Sequence, residues 1–169
     1  MNKVIKYGKY KCSNWNGIIS LEDPLFKSWF EKIKPYLVGY EFWVYGGVLE
    51  DWLTFDIDAT IIGPNNPEHI NWMLDNIVRV SFEYGLFPDI KYSIDGKLFK
   101  WSEWEATGEH VTCKYAYYRP NMEVNGQRIH WGELEDELWV AIRKWPMNKA
   151  IHKNHNFKDP VKLNITRVI

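Results

Sequence analysis

The chain has 169 residues, a formal net charge of −1 and 25% charged residues. This length supports one domain with a substantial core, and the near-neutral charge excludes a general electrostatic affinity for nucleic acid. Ten tryptophans and ten tyrosines are unusual for this length. They either build a core and surface of large aromatic side chains, or some of them stack on nucleobases or sugars, and composition leaves both interpretations open.

The sequence contains no apolar run long enough to span a bilayer, and its N-terminus lacks the pattern of a signal peptide. Its two cysteines, Cys12 and Cys113, are too few for a disulfide framework. We therefore expect a cytoplasmic protein that does not associate with a membrane.

The first predicted element is a helix that begins at Pro24, after the capping residue Asp23, and ends near Pro35. Residues 40–45 are aromatic and β-branched, which predicts a buried strand. The pattern therefore indicates a helix followed by a strand.

The clearest helix is predicted over residues 67–84. Asn66 is a capping residue, and Gly85 ends the helix. Apolar residues recur at the spacing of one helical face, which indicates a side that packs on a core. Strand, helix, strand, helix and strand therefore follow one another over residues 40–93. This order predicts an α/β or α+β fold, with a mixed sheet and flanking helices.

The second half predicts a smaller α+β appendage. Asn125-Gly126 lies between two short β-prone runs and is a strong signal for a two-residue hairpin. Residues 133–145 are predicted to form a helix, because acidic residues come first and basic residues last, in the order that complements the helix dipole. Pro146 would end it.

We expect residues 1–169 to form a single domain. Residues 20–96 would be its core, residues 97–146 the hairpin-and-helix appendage, and residues 147–169 a basic, solvated tail.

Three aspartates carry the functional prediction. Residues 56–62 read as a strand, so alternation places Asp56 and Asp58 on one face. Two carboxylates about 7 Å apart on a strand face repel each other unless a hard cation lies between them. Asp89, arriving from a neighbouring strand, would complete a magnesium site of the kind that handles triphosphates.

The stretch 42–93 resembles the nucleotidyltransferase superfamily typified by DNA polymerase β. That superfamily has a strand ending in Gly-Gly or Gly-Ser, a short helix, an Asp-apolar-Asp strand, a longer helix and a strand with a third Asp. Here the Gly-Gly turn is followed by residues 48–53, which would be the short helix. Residues 46–53 are similar to the corresponding segment of lincosamide and aminoglycoside nucleotidyltransferases, which also have an aspartate at the position of Asp51. They are more weakly similar to CCA-adding and poly(A) polymerases.

The chain also departs from the superfamily pattern. Gly47 stands where many members have a serine that contacts the triphosphate. Glu50 replaces the arginine of the CCA-adding branch, and the spacer from Asp51 to Asp56 is short.

The resemblance implies that Asp56, Asp58 and Asp89 are both catalytic residues and metal ligands. The cofactor would be Mg²⁺, as two ions, with Mn²⁺ as a possible substitute. Asp89 would hold the second ion or take the proton from the attacking hydroxyl. Gly46 and Gly47 would let backbone amides approach phosphate oxygens where a Cβ would block them.

Three basic residues are further candidates for nucleotide binding. Lys91 shares a strand face with Asp89, and it would either reach the triphosphate or neutralise the carboxylates. Arg119 and Arg128 lie in the appendage, and arginine recognises phosphate bidentately. An ordinary surface position remains the alternative for each arginine.

The sequence therefore predicts a nucleotidyltransferase that moves a nucleoside monophosphate from ATP or another nucleoside triphosphate to an acceptor hydroxyl, releasing pyrophosphate. The acceptor would be a small molecule, a protein or an RNA 3′ end. Two alternatives remain open at this point. One is a nucleotide-binding or regulatory protein of the same fold without turnover, and the other is an aromatic-rich interaction module.

Overall fold

The computed structural model describes residues 3–103, 111–116, 122–129, 137–142 and 158–165. The described helices are α1 (Pro24–Ile33) and α2 (Pro67–Glu83), with 3₁₀ turns at Lys34–Tyr36 and Gly46–Leu49. The described strands are β1 (Ile5–Tyr7), β2 (Tyr10–Cys12), β3 (Glu41–Tyr45), β4 (Asp56–Ile62), β5 (Phe87–Ser93), β6 (Val111–Ala116), β7 (Met122–Val124), β8 (Gln127–Ile129), β9 (Glu137–Ile142) and β10 (Val161–Leu163).

The described strands form two sheets. The larger sheet has six strands in the order β10-β3-β4-β5-β6-β9, and the smaller has four in the order β2-β1-β7-β8. In the larger sheet β4 and β5 run parallel, while the other pairs are antiparallel. The fold is therefore α+β with a mixed sheet, as the sequence predicted.

Local capping signals placed both helices correctly. The Asp23 carboxylate accepts a 2.9 Å hydrogen bond from the backbone N–H of Leu25 at the start of α1. The Asn66 side chain accepts from the backbone N–H of His69 at the start of α2. Gly85 follows α2 with φ of 67°, the left-handed conformation that ends a helix most readily at glycine. The predicted hairpin at residues 125–126 is also confirmed, with β7 and β8 on either side.

Both helices pack against one face of the six-stranded sheet. Trp29 of α1 is fully buried, and its indole N–H donates a 2.7 Å hydrogen bond to the Ser81 hydroxyl of α2. Each large apolar side chain buried in this way contributes about 1.5–3 kcal/mol to folding. The fully buried side chains of this layer include Ile33, Phe42, Ile57, Ile61, Ile70, Met73, Ile77 and Ile90. With one face of the sheet covered, the opposite face is left for polar side chains.

The small sheet covers the other side of α2. Val78 and Phe82 of α2 pack there with Ile5, Tyr7 and Met122. The β1–β2 hairpin that begins this sheet was not predicted. Helix α2 therefore lies between two sheets, which explains why it buries more than one stripe.

The C-terminal helix prediction is wrong for its central residues. Within the predicted range 133–145, residues Glu137–Ile142 form β9, which pairs antiparallel with β6. The run Trp139-Val140-Ala141-Ile142 has high β propensity, and pairing with the exposed edge of β6 outweighs the charge order that suggested a helix. The remaining residues of that range lie outside the described part.

The tail prediction is wrong at residues Val161–Leu163. They form β10, which pairs antiparallel with β3 at the edge of the six-stranded sheet. The Lys162 ammonium lies 3.6 Å from the Glu41 carboxylate, so at least one basic residue of the tail forms an ion pair with the sheet.

The short helix expected over residues 48–53 is shorter and begins earlier. It is a 3₁₀ turn over Gly46–Leu49, and Asp51 beyond it has φ of 60°. Asp51 therefore does not occupy a helical position. Among the residues that the structure describes, neither helix is both long and apolar enough to cross a membrane.

Candidate active site

The three predicted aspartates lie on neighbouring strands of the six-stranded sheet. Ile57 and Ala59 of β4 are fully buried, facing the helices, so alternation directs Asp56 and Asp58 to the opposite face. Asp89 on β5 is the direct partner of Asp58 in the parallel register. Because partners in register share a face, the three aspartates lie on one face of the sheet, with Asp89 beside Asp58.

The environment of Asp58 makes its charged form unfavourable. Burial raises the pKa of Asp58 to about 8, and the negative charge of Asp89 adds to that rise. The Asp58 and Asp89 side chains also share a hydrogen bond, while the positive charge of Lys91 acts in the opposite direction. A carboxyl pair of this kind holds a proton near neutral pH, and a cation in its place would relieve the same repulsion.

Lys91 lies on the same strand face as Asp89, two residues further along β5. Its ammonium donates a 2.8 Å hydrogen bond to the Tyr45 hydroxyl and lies 5.2 Å from the centre of the Tyr45 ring. Tyr45 ends β3, directly before the Gly-Gly turn, and is the register partner of Asp58. The phenol therefore fixes the Lys91 side chain beside the aspartates.

The two glycines of the turn differ in how tightly they are packed. Gly46 has φ of 75°, and a Cβ placed on it would collide with the Asp58 carboxylate. At Gly47 an added Cβ would lie 3.5 Å from the Trp52 Cβ, which is ordinary contact, and its φ is not left-handed. Gly46 therefore needs to be glycine for both conformation and proximity, whereas packing does not require glycine at position 47.

A cleft of about 530 Å³ opens over this face of the sheet. This volume lies within the roughly 300–1,000 Å³ typical of small-molecule sites. Its described lining residues are Tyr45, Gly46, Gly47, Glu50, Trp52, Thr54, Asp56, Asp58, Thr60, Lys91, Leu98, Phe99, Trp101, Tyr115, Lys158 and Pro160. Asp89 is not among them, so it adjoins the cleft through Asp58.

One wall of the cleft is built by two segments that hold each other. The Asp159 carboxylate accepts a 2.9 Å hydrogen bond from the backbone N–H of Ser102, which joins residues 97–103 to residues 158–160. The Tyr115 hydroxyl accepts a 3.2 Å hydrogen bond from the backbone N–H of Phe99. Burial raises the pKa of Tyr115, so this phenol stays neutral. The wall is therefore largely aromatic and is fastened to β6.

The predicted arginines are not placed in the cleft by the described residues. Arg119 lies outside the described part of the chain. Arg128 lies on β8, where its backbone pairs with Glu123 in the small sheet, and none of the described lining residues comes from that sheet.

Two lining residues, Glu50 and Trp52, were not predicted to bind a ligand. Glu50 is only 4% exposed although it carries a carboxyl group. The sequence could have suggested them as ligand-binding residues only by their position, because both follow the Gly-Gly turn within one short loop.

The donor set suits a hard cation, although it is not assembled into a complete site. Carboxylate oxygens are the ligands that Mg²⁺ prefers, and Asp56 and Asp58 both face the cleft. Within the described residues, however, no three Asp, Glu, His or Cys side chains converge closely enough to hold a metal ion as they stand. Two aspartates with room for water and for a ligand's phosphates remain compatible with Mg²⁺, which usually takes few protein ligands.

Comparison with known proteins gives no relative from which a role could be transferred: no protein-family model, curated protein or solved structure matches the chain.

Proposed function

We propose that the protein is a metal-dependent nucleotidyltransferase that transfers a nucleoside monophosphate from a nucleoside triphosphate to an acceptor hydroxyl in the cytoplasm. One observation carries the proposal. Asp58 has Asp89 beside it in parallel register and Gly46 packed against its carboxylate, and it faces a cleft of ligand size. Carboxylates on two adjacent strands, next to a glycine turn, are an arrangement suited to binding a metal–triphosphate complex.

The residues of the cleft divide into three roles. Asp56 and Asp58 would hold Mg²⁺, which when bound supplies positive charge to the triphosphate. Asp89, in contact with Asp58, would hold a second ion or take the proton of the acceptor hydroxyl. Lys91 adds a fixed positive charge beside the aspartates, and Gly46, which has no Cβ, lets the Asp58 carboxylate pack against the turn.

The aromatic wall supports an acceptor or base with a flat face. Trp52, Phe99 and Trp101 line the cleft, and stacking of a nucleobase on such side chains contributes about 1–3 kcal/mol. Lys91 and Lys158 are the basic residues among the described lining, which favours a small molecule or a protein over a long RNA as the acceptor. An RNA 3′ end remains compatible with the aromatic lining.

A second function is favoured by the position of Asp89. Asp89 shares a hydrogen bond with Asp58 and does not belong to the described lining of the cleft. A protein with this arrangement could bind a metal–nucleotide complex without turning it over. This alternative predicts nucleotide binding without pyrophosphate release.

The deciding experiment measures pyrophosphate release with each of the four nucleoside triphosphates and Mg²⁺, in the presence of tRNA, an aminoglycoside or a cell lysate. An Asp56→Asn, Asp58→Asn double variant is run beside the wild type. Release that needs an acceptor and disappears in the variant supports the enzyme. Thermal stabilisation by nucleotide without release supports the non-catalytic binder. Absence of both contradicts a nucleotide site and leaves an aromatic-rich interaction module.

A further inference from the structure

The segment 158–160 reaches the cleft from the far end of the chain. Lys158 lines the cleft, and the residues that follow the segment form β10, which pairs with β3 at the edge of the sheet. Both oxygens of the Asp159 carboxylate accept hydrogen bonds from Ser102, one from the backbone N–H at 2.9 Å and one from the hydroxyl. The backbone directly after Lys158 is therefore held at two points, by the aromatic wall and by the sheet.

Lys158 carries a charge that no described carboxylate neutralises. Its side chain is exposed, and among the described residues it forms no ion pair. The other basic residue in the described lining, Lys91, donates a hydrogen bond to Tyr45 and lowers the pKa of Asp58 through its charge. The aspartates therefore partly offset the charge of Lys91, whereas the charge of Lys158 is available to an anionic ligand.

We propose that Lys158 is a second phosphate-binding residue of the cleft and that Asp159 is the positioning residue that holds it there. The inference rests on the proposed nucleotide site. A nucleoside triphosphate remains an anion when it carries one Mg²⁺, so it gains from further positive charge. A lysine ammonium is a compact charge on a flexible stem, which suits phosphate oxygens. Lys91 stands on the sheet and Lys158 on a separate segment, so the two cations can contact different phosphate oxygens.

The test follows the effect of Lys158 as the number of phosphates falls. Calorimetry gives the affinities of the intact protein for the Mg²⁺ complexes of ATP, GTP, CTP and UTP, and then for the di- and monophosphate of the nucleoside that binds most tightly. In Lys158→Met we expect the triphosphate affinity to fall about five- to tenfold, in line with the loss of one exposed charged contact. The loss should shrink from tri- to di- to monophosphate, because each step removes negative charge from the ligand.

Lys162→Met is the matched control. Lys162 is an exposed residue of the same part of the chain, but its ammonium lies 3.6 Å from the Glu41 carboxylate and it does not belong to the described lining of the cleft. This variant removes the same charge and should bind all the nucleotides within about twofold of the wild type, because an exposed charge outside the site is screened by salt. Both lysine variants should keep the wild-type Tm.

Asp159→Ala tests the positioning role. The substitution removes both hydrogen bonds to Ser102, and the loss of a negative charge would by itself strengthen the binding of an anion. We expect the triphosphate affinity to fall instead, toward that of Lys158→Met. The double variant should bind no more weakly than Lys158→Met alone, because both substitutions act on one contact. Asp159→Asn keeps an acceptor oxygen for the Ser102 N–H and should retain most of the wild-type affinity.

The possible outcomes separate this inference from the proposed function. An unchanged triphosphate affinity in Lys158→Met, or an equal loss for tri-, di- and monophosphate, would overturn the phosphate contact while nucleotide binding itself persists. Wild-type binding in Asp159→Ala, or additive losses in the double variant, would overturn the positioning role of Asp159. Failure of all four triphosphates to bind the wild type would instead overturn the proposed nucleotide site, and this inference with it.

Discussion

Asp58 and Asp89 are direct neighbours on the parallel strands β4 and β5, and their side chains share a hydrogen bond. Two carboxyl groups this close are both ionised only at a cost, and burial of Asp58 increases that cost. A sheet gains nothing in stability from such a pair, so the arrangement points to function.

Replacing Asp58 by Asn should stabilise the fold while removing activity. The buried carboxylate and its repulsion by Asp89 disappear, so we expect the free energy of unfolding at pH 8 to rise by at least about 1 kcal/mol, or about 2–4 °C in Tm. Thermal unfolding followed by circular dichroism measures this. Asp75→Asn, at an exposed position on α2, is the control and should change Tm little. A less stable Asp58→Asn protein would contradict this account of the pair.

The pH dependence of stability has a definite sign. The pKa of Asp58 is about 8 in the folded protein and near 3.8 without the fold. Between these values the folded state binds more protons than the unfolded state, so this group's contribution to stability is lost as pH rises from about 4 to 8. Between pH 5 and pH 9 the melting temperature should therefore fall less steeply with rising pH for Asp58→Asn than for the wild type. Parallel curves for the two proteins would refute the assignment.

Substitution of the two turn glycines should have unequal effects. Gly46→Ala places a Cβ against the Asp58 carboxylate at φ of 75°, so it should destabilise the protein by about 1–2 kcal/mol or more and remove nucleotide binding. Gly47→Ala meets only ordinary contacts and should fold with nearly wild-type Tm. The melting temperatures of Gly46→Ala and Gly47→Ala, each measured with and without nucleotide, test this prediction. Equal tolerance of both substitutions would show that the approach of Gly46 to Asp58 is not needed.

Replacing Lys91 by Met should weaken nucleotide binding and further raise the pKa of Asp58, since Lys91 opposes that rise. We expect about a tenfold loss of affinity for a Mg²⁺–triphosphate, in line with the loss of one charged contact. Lys27→Met on α1, which removes an exposed ion pair with Glu22, serves as the control. An unchanged nucleotide affinity in calorimetry would contradict a role of Lys91 in nucleotide binding and would leave it the single role of neutralising the aspartates.

The sequence predicted correctly those helices and strands whose signals lie within the segment itself. Helix α2 was expected over residues 67–84 and is observed over Pro67–Glu83, because its cap, its apolar stripe and its terminal glycine all lie within the segment. The strand at residues 56–62 was predicted with its observed bounds, since alternation shows one buried face. Asp56, Asp58 and Asp89 could be grouped because strand periodicity and the order of elements restrict where they lie.

The features that sequence reasoning missed depend on contacts between distant segments. Residues 137–142 form a strand only because β6 offers an edge, and β10 forms only against β3. The β1–β2 hairpin had a usable signal, a two-residue turn at Gly8-Lys9 between alternating residues, but its stability comes from pairing with β7. Glu50 escaped notice because its burial depends on how the chain packs around it, which no local pattern reveals.

The most direct test of the central claim follows which phosphate is transferred. Nucleoside triphosphate labelled at the α-phosphorus or at the γ-phosphorus is incubated with the protein, Mg²⁺ and candidate acceptors. The account predicts that the α-label becomes attached to an acceptor and the γ-label leaves as pyrophosphate, with both signals lost in Asp56→Asn, Asp58→Asn. Transfer of the γ-label to the acceptor, or α-label transfer that survives in the double variant, would contradict it.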